Sequence, residues 1–229
     1  VTDAPIETDI SDMEVGNLYT KESLEWINKL EFKSFLKRYE NVETEASIEL
    51  DTSVIDKQDA WESLYSKLKD SKEFGISICL EETAIKSYHE NSLYAISVTL
   101  ENKSYIIKDM ENISDILEEI IRLDARKYIL SLKPLIKLVK DMKAAKNFYD
   151  ISVAAYLINP LKDSYFVEDI ARDYMESACS SKSEMIGKAK LDEVLRFNDE
   201  KAINYFATES YVALHSEENI LAKLKDLEL

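Results

Sequence analysis

The stretch that constrains the fold most spans residues 74–108, because it has the pattern of three short β-strands in a row. Apolar side chains alternate along residues 74–80 of the first strand, and the next two strands are LYAISVTL (93–100) and SYIIK (104–108). The links are polar, and Glu101-Asn102-Lys103 is short enough for a tight hairpin. A meander of this kind followed by helices predicts an α/β fold in which helices pack on a sheet.

Apolar residues at helical spacing and short β-branched runs predict the remaining elements. Helices are expected over residues 20–39, 56–71, 112–121, 134–142, 151–157 and 164–174, and after Ala202. Short strands are expected at 47–50 and 127–130, and a short strand or a turn at 148–149. An extended or mobile leader is expected at 1–18 and a mobile loop at 176–190. The predicted helix N-caps are Thr20, Asp56, Asn112 and Asp150. Asn112 is expected to form a capping box with Asp115.

Length and charge limit the kinds of function that the chain can have. The chain has 229 residues, 45% of them hydrophobic and 32% charged, as in a soluble globular protein with one good-sized core. The net charge of −16 argues against a strong nucleic-acid-binding surface over most of the chain, because phosphate binding depends on Lys and Arg. Cys79 and Cys179 form no disulfide framework, which favours a reducing, cytoplasmic location. A chain that begins with Val1 is expected to be part of a longer protein.

The common catalytic motifs are missing from the sequence. With glycines at positions 16, 75 and 187 alone, there is no glycine-rich loop to bind phosphates. No CxxC, HExxH or nucleophile-elbow pattern occurs. His89 is expected in a turn and His215 on a helix, and two histidines do not make a metal site without further ligands.

Several stretches resemble the proofreading 3′–5′ exonuclease domain of bacterial DNA polymerase I (family A), which has a ribonuclease H-like fold. The order strand, strand, strand, helix, strand, helix agrees with that fold. The similar stretches are LYTKESLEWINKLEFKSFLKRY (18–39), LYAISVTLENKSYIIK (93–108) and YDISVAAYLINPLKDSYFVEDIARDYM (149–175), of which the last is the most specific. The resemblance extends from about Ile10 to Leu229. It implies a mixed β-sheet with helices on both faces, preceded by a helical linker.

The resemblance also implies a domain organisation and partners. Residues 1–43 would be a linker or tail of a 5′-nuclease region, and residues 44–229 an exonuclease-like domain that ends before a polymerase domain. The parent chain would be a DNA-directed DNA polymerase, a nucleotidyltransferase of DNA replication and repair. It would bind DNA through its polymerase domain, which would also hold the Mg²⁺. For this part of it we expect contact with the chain's own polymerase and 5′-nuclease domains, no cofactor, no membrane, and a monomer.

The family's exonuclease reaction uses four carboxylates that hold two divalent metals about 4 Å apart. An ungapped comparison puts the family's Asp-x-Glu pair on Leu80 and Glu82. Its Asn-x-x-x-Asp and Tyr-x-x-x-Asp motifs fall on the positions Ser131 with Leu135 and Tyr205 with Glu209.

Two of the four acids are therefore leucines, which offer no ligand, and Glu209 is one methylene longer than the Asp it replaces. An alternative strand register puts the Asp-x-Glu pair on Ser77 and Cys79, which is no better for metal binding. The prediction is an exonuclease fold without exonuclease chemistry, with no catalytic, metal-binding or cofactor-binding residue. Glu82 and Glu209 are expected on solvated surfaces, and Tyr205 is expected to pack or to hydrogen-bond locally.

Two alternatives remain. One is a weak metal-dependent 3′–5′ exonuclease that uses Glu82, Glu209 and a further acid, such as Glu81 or Asp150. The other sets the resemblance aside and treats the chain as an acidic α/β interaction module.

Overall fold

The computed structural model describes residues 18–30, 32, 35, 48–81, 92–139 and 143–228. The chain divides into two compact units, Val1–Glu45 and Ala46–Leu229. In the first unit, helix α1 spans Lys21–Lys29, and the Thr20 hydroxyl accepts a hydrogen bond from the Ser23 amide at 3.2 Å. The predicted Thr20 cap is thereby confirmed. Residues 1–17 of the expected leader, and His89, lie outside the described residues.

The second unit contains a sheet and helices α2–α10. The strands are β1 Asp51–Ile55, β2 Glu73–Leu80, β3 Leu93–Leu100, β4 Lys103–Lys108, β5 Arg126–Ile129 and β6 Phe148–Asp150. The helices are α2 Gln58–Asp70, α3 Ile113–Arg122, α4 Lys133–Leu138, α5 Ile151–Ile158, α6 Val167–Met175, α7 Lys182–Ile186, α8 Leu191–Arg196, α9 Glu200–His215 and α10 Glu217–Asp226.

The sheet is mixed, in the order β1-β4-β3-β2-β5-β6. Strand β3 pairs antiparallel with β2 and β4, and the remaining neighbours pair in parallel. The meander predicted from residues 74–108 is confirmed, and its β3–β4 hairpin turns at Glu101, which has a left-handed φ of 50°.

Helices cover both faces of this sheet, and a hydrophobic cluster lies on each. Neighbouring residues of a strand point to opposite faces, so Ala95 lies in one cluster and Ile96 in the other. The first cluster contains Phe206 and other buried residues of α9, and the second contains the buried face of α3. The predicted mixed sheet with helices on both faces is confirmed.

Helix α9 lies directly on β2, and Gly75 makes this approach possible. A Cβ atom on Gly75 would lie 1.9 Å from the backbone oxygen of Ser210. The Ser210 hydroxyl is 2.7 Å from the hydroxyls of both Ser97 and Thr99 on β3. All three hydroxyl residues are fully buried, so the hydrogen bonds fix where α9 sits on the sheet.

Three local predictions differ from the structure. The strand expected at 47–50 is wrong for the described residues 48–50, because the strand is the β-branched stretch Asp51–Ile55 beside β4. The loop expected at 176–190 contains α7, which begins with a capping box of Ser181 and Glu184. Helix α2 begins after Lys57 rather than after Asp56.

The helix expected from residue 112 is present as α3, but the Asn112 side chain makes no capping hydrogen bond. Pro134 lies in the first turn of α4, as predicted. No helix in the described part of the chain is long and apolar enough to cross a membrane.

Candidate functional site

Strand β2 and helix α9 bring together three polar side chains that are far apart in sequence. The Ser77 hydroxyl donates a hydrogen bond of 2.6 Å to Oε2 of Glu209. Tyr205, one helical turn before Glu209, lies on the same side of α9, and its hydroxyl lowers the pKa of this carboxyl group. Ser77 and Tyr205 are buried and Glu209 is half-buried, so Glu209 does not lie on the solvated helix face that the sequence suggested. Tyr205 packs in the hydrophobic cluster on this side of the sheet.

Burial controls the electrostatics of this cluster. It raises the pKa of the Glu209 carboxyl above the ordinary value, and the charge of Glu168 acts in the same direction. The hydrogen bond from Ser77, the nearby Tyr205 hydroxyl and the charge of Lys182 oppose this increase without cancelling it. Burial, followed by the charge of Glu209, also raises the pKa of Tyr205. The cluster therefore favours neutral side chains more than water does.

Near Glu209, the face of β2 that meets α9 carries no acid. Glu73, at the far end of the same face, forms an ion pair with Arg126. Ser77 contacts Glu209, and Cys79, two residues further along the same face, is buried in the same cluster as Tyr205. Phe74 and Ile76 point to the other face. Ser77 and Cys79 are the two positions that the alternative strand register gave to the family's Asp-x-Glu pair.

The positions from the ungapped comparison do not all meet at this cluster. Leu80 is half-buried at the end of β2, opposite Leu93, where the β2–β3 register shifts. Leu135 is fully buried in the hydrophobic cluster on the other side of the sheet from Tyr205. Ser131 is exposed, and Glu82 lies outside the described residues.

The two further acids considered from the sequence have structural contacts. Glu81 forms an ion pair with Arg196 of α8, whose guanidinium lies 4.4 Å from the centre of the Tyr94 ring. Asp150 is the N-cap of α5, as predicted. One of its carboxylate oxygens accepts from the Val153 amide at 2.9 Å and the other from the Leu132 amide at 2.8 Å.

A cavity of about 200 Å³ lies beside Tyr205. Its wall includes Thr208 of α9, Met185 of α7, and Cys179. Burial raises the pKa of the Cys179 thiol to about 12, so this cysteine stays protonated near neutral pH and is a poor nucleophile. The sequence analysis missed this cavity, because α7 lies in the stretch expected to be a mobile loop. The Ser181-x-x-Glu184 capping box was the signal that would have revealed that helix.

Within residues 48–81, 92–139 and 143–228, no group of three or more His, Cys, Asp or Glu side chains is placed to hold a metal ion. Glu209 is the acid that α9 presents to Ser77, and the Ser77 hydroxyl donates a hydrogen bond to it.

The sheet order and the helices on both faces define a ribonuclease H-like 3′–5′ exonuclease fold. Solved structures of this fold resemble the chain at 12% sequence identity. The Nibbler EXO domain of Aedes aegypti has a TM-score of 0.62, covering 81% of this chain and 95% of its own. Escherichia coli RNase D has a TM-score of 0.63, covering 77% of this chain and 46% of its own. The POL domain structure of Pol1 from M. smegmatis has a TM-score of 0.54, covering 77% of this chain and 28% of its own. These likenesses confirm the predicted fold.

In sequence, the chain is similar to DNA polymerase I of Bacillus subtilis (strain 168), with 25% identity over 194 residues. The match covers 82% of this chain and 21% of the relative, so the chain spans about a fifth of the relative's length. The predicted resemblance to DNA polymerase I is thereby confirmed. No protein-family model matches the chain.

Proposed function

We propose that the chain is the exonuclease-like part of a DNA polymerase I-type protein, that it has lost 3′–5′ exonuclease chemistry, and that its role is structural. One observation carries this proposal. Glu209, in the position of the family's helix-borne Asp, accepts a hydrogen bond from the Ser77 hydroxyl beside the buried Tyr205, instead of facing a carboxylate on β2.

The physical argument concerns charge. Two divalent cations bring four positive charges, and the family's four carboxylates balance them. Here β2 offers Ser77 and Cys79, which are neutral, while burial favours the protonated form of Glu209. A metal ion must displace that proton before it binds, and this weakens the affinity of the site.

The further acids also support inactivity over a weak exonuclease. Glu81 is neutralised by Arg196, and both carboxylate oxygens of Asp150 hold backbone amides. Recruiting either acid would break contacts that stabilise the fold. The similarity to a DNA polymerase I favours this proposal over an interaction module without a polymerase.

The rest of the proposal concerns the whole protein. DNA binding and Mg²⁺ belong to the polymerase portion, and this part holds no cofactor. The protein is monomeric, works in the cytoplasm and takes part in DNA replication and repair. A net charge of −16 fits a part that leaves the DNA contacts to its neighbours.

Binding of Mn²⁺, measured as the loss of the EPR signal of the free ion, tests the proposal at the site itself. We expect Glu209→Gln to leave the Mn²⁺ titration of the chain unchanged. The matched control is Glu200→Gln, an exposed acid on the same helix. Mn²⁺ binding that Glu209→Gln removes and Glu200→Gln retains would mean that the carboxyl group is a metal ligand, against the proposal.

A further inference from the structure

The crossover from β5 to β6 is a strongly basic stretch in an acidic chain. Residues 126–149 contain seven Lys or Arg residues and one acid, Asp141, whereas the whole chain has 29 basic and 45 acidic residues. Four of these lysines are exposed on α4 and in the connection that follows it. We define the lysine stripe as Lys133, Lys137, Lys143 and Lys146.

The packing of this crossover turns its lysines toward solvent on one side of the protein. Strands β5 and β6 are parallel neighbours, so the chain between them crosses one face of the sheet. Leu135 and Val139 are buried in the hydrophobic cluster on that face, and Ala145 packs against it. The lysine stripe lies on the opposite, exposed side of the same crossover. Lys133 and Lys137 are about one helical turn apart, so their side chains are neighbours on α4.

The acids at the two ends of the lysine stripe have other partners. At one end, both carboxylate oxygens of Asp150 accept hydrogen bonds from backbone amides. At the other end, the Asn147 side chain donates hydrogen bonds to Asp124. Within the described part of the chain, the lysines of the stripe other than Lys143 have no acid within the 4.0 Å of an ion pair. Their charges are therefore available to an acidic partner.

An apolar side chain lies among these positive charges. Ile136 precedes Lys137 on α4 and is 52% exposed. The described residues 131–139 and 143–147 include no aromatic ring on which a nucleic-acid base could stack. A phosphate backbone would pair with the lysines but would leave Ile136 in contact with water. A peptide with an apolar residue between Asp or Glu residues would pair with the lysines and also cover Ile136.

We propose that the lysine stripe and Ile136 form a docking site for an acidic peptide segment of another protein, in which an apolar residue lies among Asp or Glu residues. A short segment brings few negative charges, whereas a second copy brings a net charge of −16. Duplex DNA brings one negative charge per about 1.7 Å of its length. Repulsion by the rest of this acidic chain therefore favours the short segment. The proposal adds a partner to the structural role and does not depend on the loss of exonuclease chemistry.

Fluorescence anisotropy tests the docking, with the 229-residue chain and a fluorescein-labelled peptide of Asp-Ile-Glu repeats about twelve residues long. We expect binding that weakens as the salt concentration rises, because the ion pairs are exposed. The double variant Lys133→Glu, Lys137→Glu should weaken binding by about tenfold, because two ion pairs become repulsions. The matched control is Lys67→Glu, Lys69→Glu, which changes the net charge equally at two exposed lysines on α2. Equal weakening in both double variants, or no binding by the unmodified chain, would overturn the proposal.

Further measurements identify the occupant. Ile136→Ser should weaken binding of the peptide by about threefold, because the half-exposed side chain loses its apolar contact. Replacing the isoleucines of the peptide by serine should have a similar effect, and no effect of either change would overturn the proposal. A labelled DNA duplex that binds through Lys133 and Lys137 more tightly than the peptide would identify nucleic acid as the occupant and overturn it. A chain that sediments as a dimer, and as a monomer after the Lys133→Glu, Lys137→Glu change, would identify a second copy instead.

Discussion

Substitution of Gly75 by alanine tests the contact that builds the candidate site. The new Cβ would lie 1.9 Å from the Ser210 backbone oxygen, about 1.5 Å short of ordinary van der Waals contact at 3.4 Å. It would also lie 3.1 Å from the Cβ of Leu214. Because both neighbours belong to α9, one of them on its backbone, the helix has to move away from β2.

The free-energy change follows from what that movement breaks. Overpacking of a close contact destabilises by about 1–3 kcal/mol. The shift of α9 also weakens the buried hydrogen bonds from Ser210 to Ser97 and Thr99, at about 1 kcal/mol each. We therefore expect Gly75→Ala to destabilise the fold by about 3–4 kcal/mol. For a chain of this size that corresponds to a fall in melting temperature of roughly 10 °C.

Thermal unfolding followed by circular dichroism measures this effect, with Gly187→Ala as the control. Gly187 has a φ of +63°, and a Cβ added there would meet no atom within 4 Å, so its replacement reports backbone strain alone. That strain amounts to about 1–3 kcal/mol, because the φ of 63° with a ψ of −128° at Gly187 is sparsely populated by residues other than glycine. A Gly75→Ala protein that melts no lower than the Gly187→Ala protein would refute the close approach of α9 to β2.

Three further predictions concern ionisable groups. Burial raises the folded-state pKa of Glu209, so the stability that this group contributes is lost as pH rises above the ordinary value of 4.5. In denaturant unfolding, Glu209→Gln should flatten the decrease of the unfolding free energy with pH over that range. An unchanged slope would contradict the burial. Burial lowers the folded-state pKa of Lys127 to about 8, so the stability of the protein relative to Lys127→Met should rise between about pH 8 and 10.5. A stability difference between the two proteins that stays constant over this range would refute the shift. Asp150→Ala removes two bonds to backbone amides and should destabilise by about 1–2 kcal/mol in urea unfolding, against no more than about 0.5 kcal/mol for the exposed control Asp163→Ala.

The fold was largely predictable because the decisive signals are local. The alternation of residues 74–80 and the β-branched stretch 93–100 define β2 and β3 without reference to the rest of the chain. Strand β1 was placed too early because Ile48 and Leu50 alternate just as strand residues do. The strand forms at Asp51–Ile55, where the backbone meets β4, and that pairing partner lies about fifty residues away.

The candidate site was only partly predictable. Tyr205 and Glu209 are four residues apart on a helix, so their proximity follows from sequence spacing. The contact between Ser77 and Glu209 joins residues separated by 132 positions. It depends on the register of α9 on β2, which the approach at Gly75 sets. An ungapped sequence comparison cannot detect that register, so it could not reveal that Ser77 meets Glu209.

Degradation of a labelled oligonucleotide tests the central claim most directly. The chain is incubated with 3′-labelled single-stranded DNA in Mg²⁺ and separately in Mn²⁺, with a chelator control and a proofreading-proficient DNA polymerase I as the positive control. We predict no loss of label above the chelator control. Metal-dependent loss of label that Glu209→Gln abolishes and Glu200→Gln retains would contradict the claim that this fold has lost its exonuclease chemistry.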